Sequence, residues 1–98
     1  AILGDVSAIY DAHALWTNQL PNNLSIVVLN NRGGQIFNWI GGPKDVPALM
    51  PLIETPHNYN FKNLCNLYQI QYAHHTDQPN TPWPTRFLNQ LDCTLWEV

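Results

Sequence analysis

Charge is what this sequence has least of. Lys, Arg, Asp and Glu together make up 11% of its 98 residues, against about 25% in a typical soluble domain. Only four of them are basic (Arg32, Lys44, Lys62, Arg86), they are scattered, and the net charge is −3. That leaves no electrostatic footprint for nucleic acid or an anionic membrane. Cysteine is equally scarce: Cys65 and Cys93 cannot form a disulfide framework, and no C-x-x-C spacing offers a redox or zinc motif. A reduced, cytoplasmic setting is the expectation. Long apolar runs are missing too; the longest, Ile26 to Leu29, is far too short to cross a membrane. No Walker loop and no Gly-x-Ser-x-Gly elbow occurs, which removes the common nucleoside-triphosphatase and hydrolase readings.

What fills the polar gap is asparagine, twelve residues of it, alongside eight prolines and a hydrophobic share of 45%. Ninety-eight residues allow one domain, near the lower limit for a self-sufficient core. A surface so poor in charge suits a piece covered by other protein. Both ends read as strands without polar caps, so the chain is expected to be a partial domain, residues 1–98, of something longer.

The local pattern points to α/β with a parallel sheet and flanking helices. Ala1–Leu3 reads as the end of a buried strand, and a helix is expected from about Ser7 to Leu20 on the spacing of Ile9, Ala12, Leu15, Trp16 and Leu20. Leu24–Leu29, β-branched and apolar on both faces, suits a central parallel strand. Gln35–Ile40 reads as a short helix, and the proline-rich stretch from Lys44 to His57 as an irregular loop. Asn60 is placed to cap a helix through Tyr68. Ile70–Ala73 is a third strand, a short helix is expected near Thr85–Leu91, and a last strand starts at Cys93.

Ligands of parallel sheets gather at the carboxyl ends of the strands. Two polar clusters fall there: Gly4-Asp5 after the first strand, and Asn30-Asn31-Arg32-Gly33-Gly34 after the second. One right-handed crossover separates them and brings them close. A carboxylate, a carboxamide oxygen and a loop carbonyl form a hard-oxygen set suited to Mg²⁺ or Ca²⁺, and magnesium completes its shell with water and phosphates. The helix start behind Asp5 favours a phosphate at the same place. Yet Gly-Asp and Asn-Asn-x-Gly-Gly are also ordinary turn chemistry. The residues alone leave a metal–diphosphate site and a plain pair of turns both open.

The Gly-Asp … Asn-Asn pattern resembles the cofactor signature of thiamine-diphosphate enzymes. More narrowly, Gly4-Asp5-Val6-Ser7-Ala8-Ile9-Tyr10-Asp11 and Asn30-Asn31-Arg32-Gly33-Gly34-Gln35-Ile36-Phe37 are similar to the SEPHCHC synthases of menaquinone biosynthesis. Thr55-Pro56-His57 followed by Phe61 fits the same family. The similarity runs in order along nearly the whole chain, strongest over residues 1–40 and weak after Tyr72. Gly-Gly-Gln-Ile-Phe is the stretch that separates this family from acetolactate synthases and pyruvate decarboxylases.

The resemblance implies a truncated C-terminal domain of the diphosphate-binding type, holding thiamine diphosphate through Mg²⁺ (or Mn²⁺). Asp5 and Asn31 would bind the metal by side chain and Gly33 by its carbonyl. Gly4, Val6, Ser7 and Gly34 would meet the cofactor near its diphosphate, and Ile36 and Phe37 would border its reacting end. Phe37, Ile40 and Arg32 would reach the substrate. The family condenses 2-oxoglutarate with isochorismate and releases CO₂, as a cytoplasmic homo-oligomer. Its activating glutamate lies on a separate pyrimidine-binding domain of a partner subunit, so this segment holds no catalytic residue and alone should be inactive. Val6 stands where the broad signature has glycine, and His13 and Arg32 stand where asparagine is expected. Two other readings are another thiamine-diphosphate decarboxylase or lyase, such as an acetolactate-synthase-like enzyme, and a non-catalytic flavodoxin-like interaction module.

The remaining residues read as structural. His74 and His75 are adjacent on a strand, where neighbours face opposite ways and cannot chelate one ion. His57 could touch substrate, but a structural or surface place fits it better. Cys65 falls on the buried stripe of its helix, and the four tryptophans suit core or interface. Asn23-Leu24-Ser25 matches a glycosylation sequon, a triplet frequent by chance.

Overall fold

The computed structural model describes the chain except positions 18, 43–44, 78, 83–84 and 86–91. β1 (Ile2–Gly4) runs straight into α1 (Asp5–Tyr10); β2 (Ser25–Leu29) follows, then α2 (Met50–Glu54), α3 (Phe61–Tyr68), β3 (Gln71–His74) and β4 (Thr94–Glu97). The strands form one four-stranded sheet in the order β1-β2-β4-β3, and every pairing is parallel. The expected α/β class, the parallel sheet and the central place of β2 are all present.

Alternation along β2 and the continuous burial of Thr94–Trp96 in β4 build the core. Ile26 and Val28 pair in register with Leu95 and Glu97. Ile26, Val28 and Leu95 form one buried cluster with Ala8 of α1, with Phe61 and Cys65 of α3, and with Cys93. Val28, Phe61, Cys65 and Leu95 are almost wholly out of water. Burying a side chain of Val, Leu or Phe size contributes about 1.5–3 kcal/mol each. Asn60 caps α3 as its position demands, its Oδ1 accepting the Lys62 N–H at 2.9 Å. Gln69 closes the same helix in the left-handed region, φ 57°.

Several expectations need correcting. β1 is an edge strand, and Ile2 is exposed instead of buried. The helix expected through Leu20 stops at Tyr10. Asp11 ends it, and only a 3₁₀ turn, Ala12–Leu15, carries on. Asp11, His13, Thr17 and Asn18 are weak helix formers, and Tyr10 and Trp16, both exposed, add no packing to compensate. Gln35–Ile40 is a 3₁₀ turn over Gln35–Asn38. The stretch read as an irregular loop contains a 3₁₀ turn (Pro47–Leu49) and α2, each with proline in its first positions. Proline there loses no hydrogen bond and presets φ, so it starts helices as well as ending them. Apart from Thr85, the helix expected near 85–91 lies outside the described residues. Trp96 is buried in the sheet, whereas Trp16 and Trp39 are exposed.

Candidate functional site

The register Gly4↔Leu29 sets the ends of β1 and β2 level, so Asp5 and the Asn30–Gly34 loop leave the sheet side by side. Asp5 opens α1 and is 2% exposed, the one carboxylate among the buried residues described. Its Oδ1 accepts the Val6 N–H at 2.7 Å, and its Oδ2 accepts the Gly33 N–H at 2.9 Å. The two loop tips therefore meet through a direct bond. It runs to the backbone of Gly33; the Asn31 side chain is exposed.

The glycine loop is folded tightly against the end of α2. Gly34 N–H donates to the Glu54 carbonyl at 2.6 Å, and His57 N–H to the Arg32 carbonyl at 3.4 Å. Gly33 has φ 144°, and a Cβ there would stand 2.9 Å from the Glu54 carbonyl oxygen, which explains the glycine. Arg32 (φ 66°) and Thr55 (φ 50°) also occupy the left-handed region. For β-branched Thr55 this is a real cost, and such strain concentrates at functional loops. Asn38 Nδ2 donates to the Glu54 carboxylate, tying the 3₁₀ turn to α2.

The third arm of the site is His57. Its imidazole is 5% exposed, with Nε2 3.1 Å from Asp5 Oδ2. Nδ1 accepts the Tyr59 N–H at 3.2 Å, which assigns the ring proton to Nε2, facing the carboxylate. The sequence offered a structural or surface place for His57 and gave no sign of its contact with Asp5. The nearest local cue to its placement was Pro56, which fixes the backbone just before it.

A second polar cluster occupies the same sheet edge. Glu97 accepts from Asn30 Nδ2 at 2.6 Å and from Tyr72 Oη at 2.7 Å, and Asn30 Oδ1 accepts the Arg32 N–H at 3.2 Å. Glu97 thereby fixes the first residue of the Asn-Asn pair, a role no spacing rule reveals. Burial, then the Glu97 hydrogen bond, raises the Tyr72 hydroxyl well above its usual range. A cleft of about 290 Å³ opens here between Arg32, Tyr59, Tyr72, His74 and Glu97.

Of the other expected site residues, Gly4 is the N-cap of α1 with φ −75° and makes no side-chain cap. Val6 N–H is engaged by Asp5, and Ser7 is exposed. The Phe37 ring lies so close to Gly34 that a Cβ there would meet it at 3.0 Å. Ile36 and Ile40 are exposed. No group of three or more His, Cys, Asp or Glu residues placed to hold a metal occurs among the described residues. A site built from one carboxylate, one amide and one carbonyl would not form such a group. His74 and His75 hold no metal set either, although their rings lie 4.5 Å apart. The strand ends at His74 and a 3₁₀ turn begins at His75, so strand alternation does not separate them.

No helix among the described residues is long and apolar enough to cross a membrane. No family model matches the chain. Curated relatives do. Over 71 residues, 72% of the chain, it is 44% identical to the 2-succinyl-5-enolpyruvyl-6-hydroxy-3-cyclohexene-1-carboxylate synthase of Christiangramia forsetii. It is 38% identical over 71 residues to the synthase of that name from Flavobacterium johnsoniae, and 31% identical over 99 residues, 99% of the chain, to that of Porphyromonas gingivalis. The chain spans 12%, 13% and 17% of the length of these three relatives. By these matches the chain belongs to the SEPHCHC synthase family.

Proposed function

We propose that this segment is the metal- and diphosphate-holding part of a thiamine-diphosphate enzyme that condenses 2-oxoglutarate with isochorismate, with loss of CO₂. It would form the C-terminal cofactor domain of a longer, homo-oligomeric protein. One observation carries the reading: a carboxylate 2% exposed, facing only N–H groups, at the junction of two loop tips. A buried carboxylate without a cationic partner is costly. The histidine beside it accepts a hydrogen bond at Nδ1 and turns Nε2 toward the carboxylate. A divalent cation is the chemistry that suits this place.

The donor set fits Mg²⁺ or Mn²⁺. Asp5 contributes a carboxylate oxygen, Asn31 an exposed amide oxygen, and Gly33 a carbonyl whose only described contact is the Gln35 N–H at 2.9 Å. Oxygen ligands at two or three positions, with the rest supplied by phosphate and water, are what magnesium takes. Gly4, Val6, Ser7 and Gly34 would bound the diphosphate. Bound there, thiamine diphosphate supplies the electron sink for decarboxylating a 2-oxo acid.

The chain's own part is positioning. Glu54 and Glu97 hold the glycine loop from two sides, through its Gly34 N–H and its Asn30 amide, so the loop needs little reordering when a ligand arrives. Phe37 packs its ring beside Gly34. Ile36 and Ile40 present apolar surface outward. Arg32, on the rim of the polar cleft, puts a fixed positive charge where a substrate carboxylate or the diphosphate would lie. The activating glutamate would come from a pyrimidine-binding domain of a partner subunit.

Calorimetry on the intact protein tests this. Thiamine diphosphate should bind in the presence of Mg²⁺, and Asp5→Ala should abolish the metal-dependent part while leaving the fold intact. Isochorismate with 2-oxoglutarate should be consumed in preference to pyruvate. Cofactor binding unchanged by Asp5→Ala would remove the metal role.

A further inference from the structure

The Asp5 carboxylate has room for about four hydrogen bonds or ligands, two on each oxygen. Oδ2 takes the Gly33 N–H at 2.9 Å and faces His57 Nε2 at 3.1 Å. Oδ1 takes only the Val6 N–H at 2.7 Å. Counting the His57 contact as one, a single position on the carboxylate is left open among the described residues, and it is on Oδ1.

His57 is built to stay where it is. Its N–H reaches back to Arg32, its Nδ1 receives the Tyr59 N–H, and three residues before it the Glu54 carbonyl binds Gly34. The segment that carries the imidazole is thus tied to the glycine loop. Its Nε2 is sealed from water and lies within contact of the carboxylate, yet it lacks the alignment of a hydrogen bond. A buried N–H left so is a cost, and the Asp5 carboxylate 3.1 Å away is the acceptor within its reach.

We propose that His57 is a positioning residue for Asp5: its Nε2–H occupies Oδ2, leaving Oδ1 as the oxygen that receives the divalent cation. The inference rests on the metal reading above and deepens it by naming which oxygen binds and what holds it. Groups that orient a metal-binding side chain act on affinity without touching the ion. The role does not need His57 to change protonation; it needs one N–H in one place.

Two variants of similar shape separate this from a purely structural bond between loops. His57→Gln keeps an N–H donor at comparable reach, and His57→Met replaces it with a flexible apolar chain. Mn²⁺ binding to the intact protein, with thiamine diphosphate present, is read from the electron paramagnetic resonance of the free ion. Thermal midpoints are recorded without metal. The methionine variant should bind Mn²⁺ about tenfold more weakly or worse, and the glutamine variant should recover most of that loss. If the methionine variant does not fold, His57→Leu takes its place against glutamine. Equal Mn²⁺ affinity in all three proteins overturns the proposal, as does a loss that glutamine fails to rescue. Asp5→Ala runs alongside. If it loses Mn²⁺ while the methionine variant keeps it, only the role of His57 falls. If it keeps Mn²⁺, the metal reading falls and this inference with it.

Discussion

Tyr72 and Glu97 are joined across neighbouring strands by a hydrogen bond of 2.7 Å, and the other oxygen of Glu97 holds Asn30 at 2.6 Å. One carboxylate thus links β3, β4 and the loop after β2. Tyr72→Phe removes one arm and should cost about 1.5–3 kcal/mol, the worth of a hydrogen bond to a charged group. Chemical denaturation of the intact protein measures it. Glu97→Leu should cost more, because it strands two donors, and should also loosen the Asn30–Gly34 loop and weaken cofactor binding.

The same pair gives a pH dependence of defined sign. Burial and the Glu97 contact raise the Tyr72 hydroxyl, so the folded state disfavours its ionised form. A folded-state value above the unfolded one means the stabilisation is complete below the unfolded value, about 10 for tyrosine, and declines as pH rises beyond it. Cys65 adds to the trend. Burial first, then the fields of Cys93 and Glu97, push its thiol from 9.0 up to about 12. Stability should hold up to about pH 9 and then fall, and the fall should be shallower in Tyr72→Phe. Iodoacetamide at pH 8 should leave Cys65 unlabelled until the protein is unfolded, since only the thiolate reacts. Prompt labelling of the native protein would contradict its burial.

Gly33→Ala tests the loop's shape. The new Cβ meets the Glu54 carbonyl at 2.9 Å, on a backbone with φ 144° that L side chains rarely adopt. The substitution should cost about 1–3 kcal/mol and reduce metal-dependent cofactor affinity. Gly42→Ala is the natural comparison. Gly42 also has positive φ, but nothing lies within 4 Å of its Cβ position, so only the backbone strain is added.

How much of this was readable beforehand depended on the range of the interactions. Local rules placed α3 with its Asn60 cap, the run of β2, and the two polar tips at one sheet edge. Those features are set by neighbours in sequence. The reach of α1 was misjudged because Ile9, Leu15 and Leu20 have helical spacing, while Asp11, His13, Thr17 and Asn18 between them form helix poorly and Tyr10 and Trp16 are exposed. α2 was missed because proline was read only as a breaker. The Asp5–His57 contact, 52 positions apart, and the Asn30–Glu97 bond, 67 apart, come from the way strands and loops converge, which no periodicity encodes. The direct bond between the two tips, from Gly33 N–H to Asp5, is likewise long-range and is not read from spacing.

The pairing of Gly4 with Leu29 has a use beyond holding two strands together. Sliding β2 by one residue would shift its loop by about 3.3 Å and turn Ile26 and Val28 outward, which the packing against Leu95 and Phe61 forbids. The greasy interior therefore acts as the ruler for the polar tips above it. A substitution deep in the sheet should therefore misalign Asp5 and the Asn30–Gly34 loop without touching either.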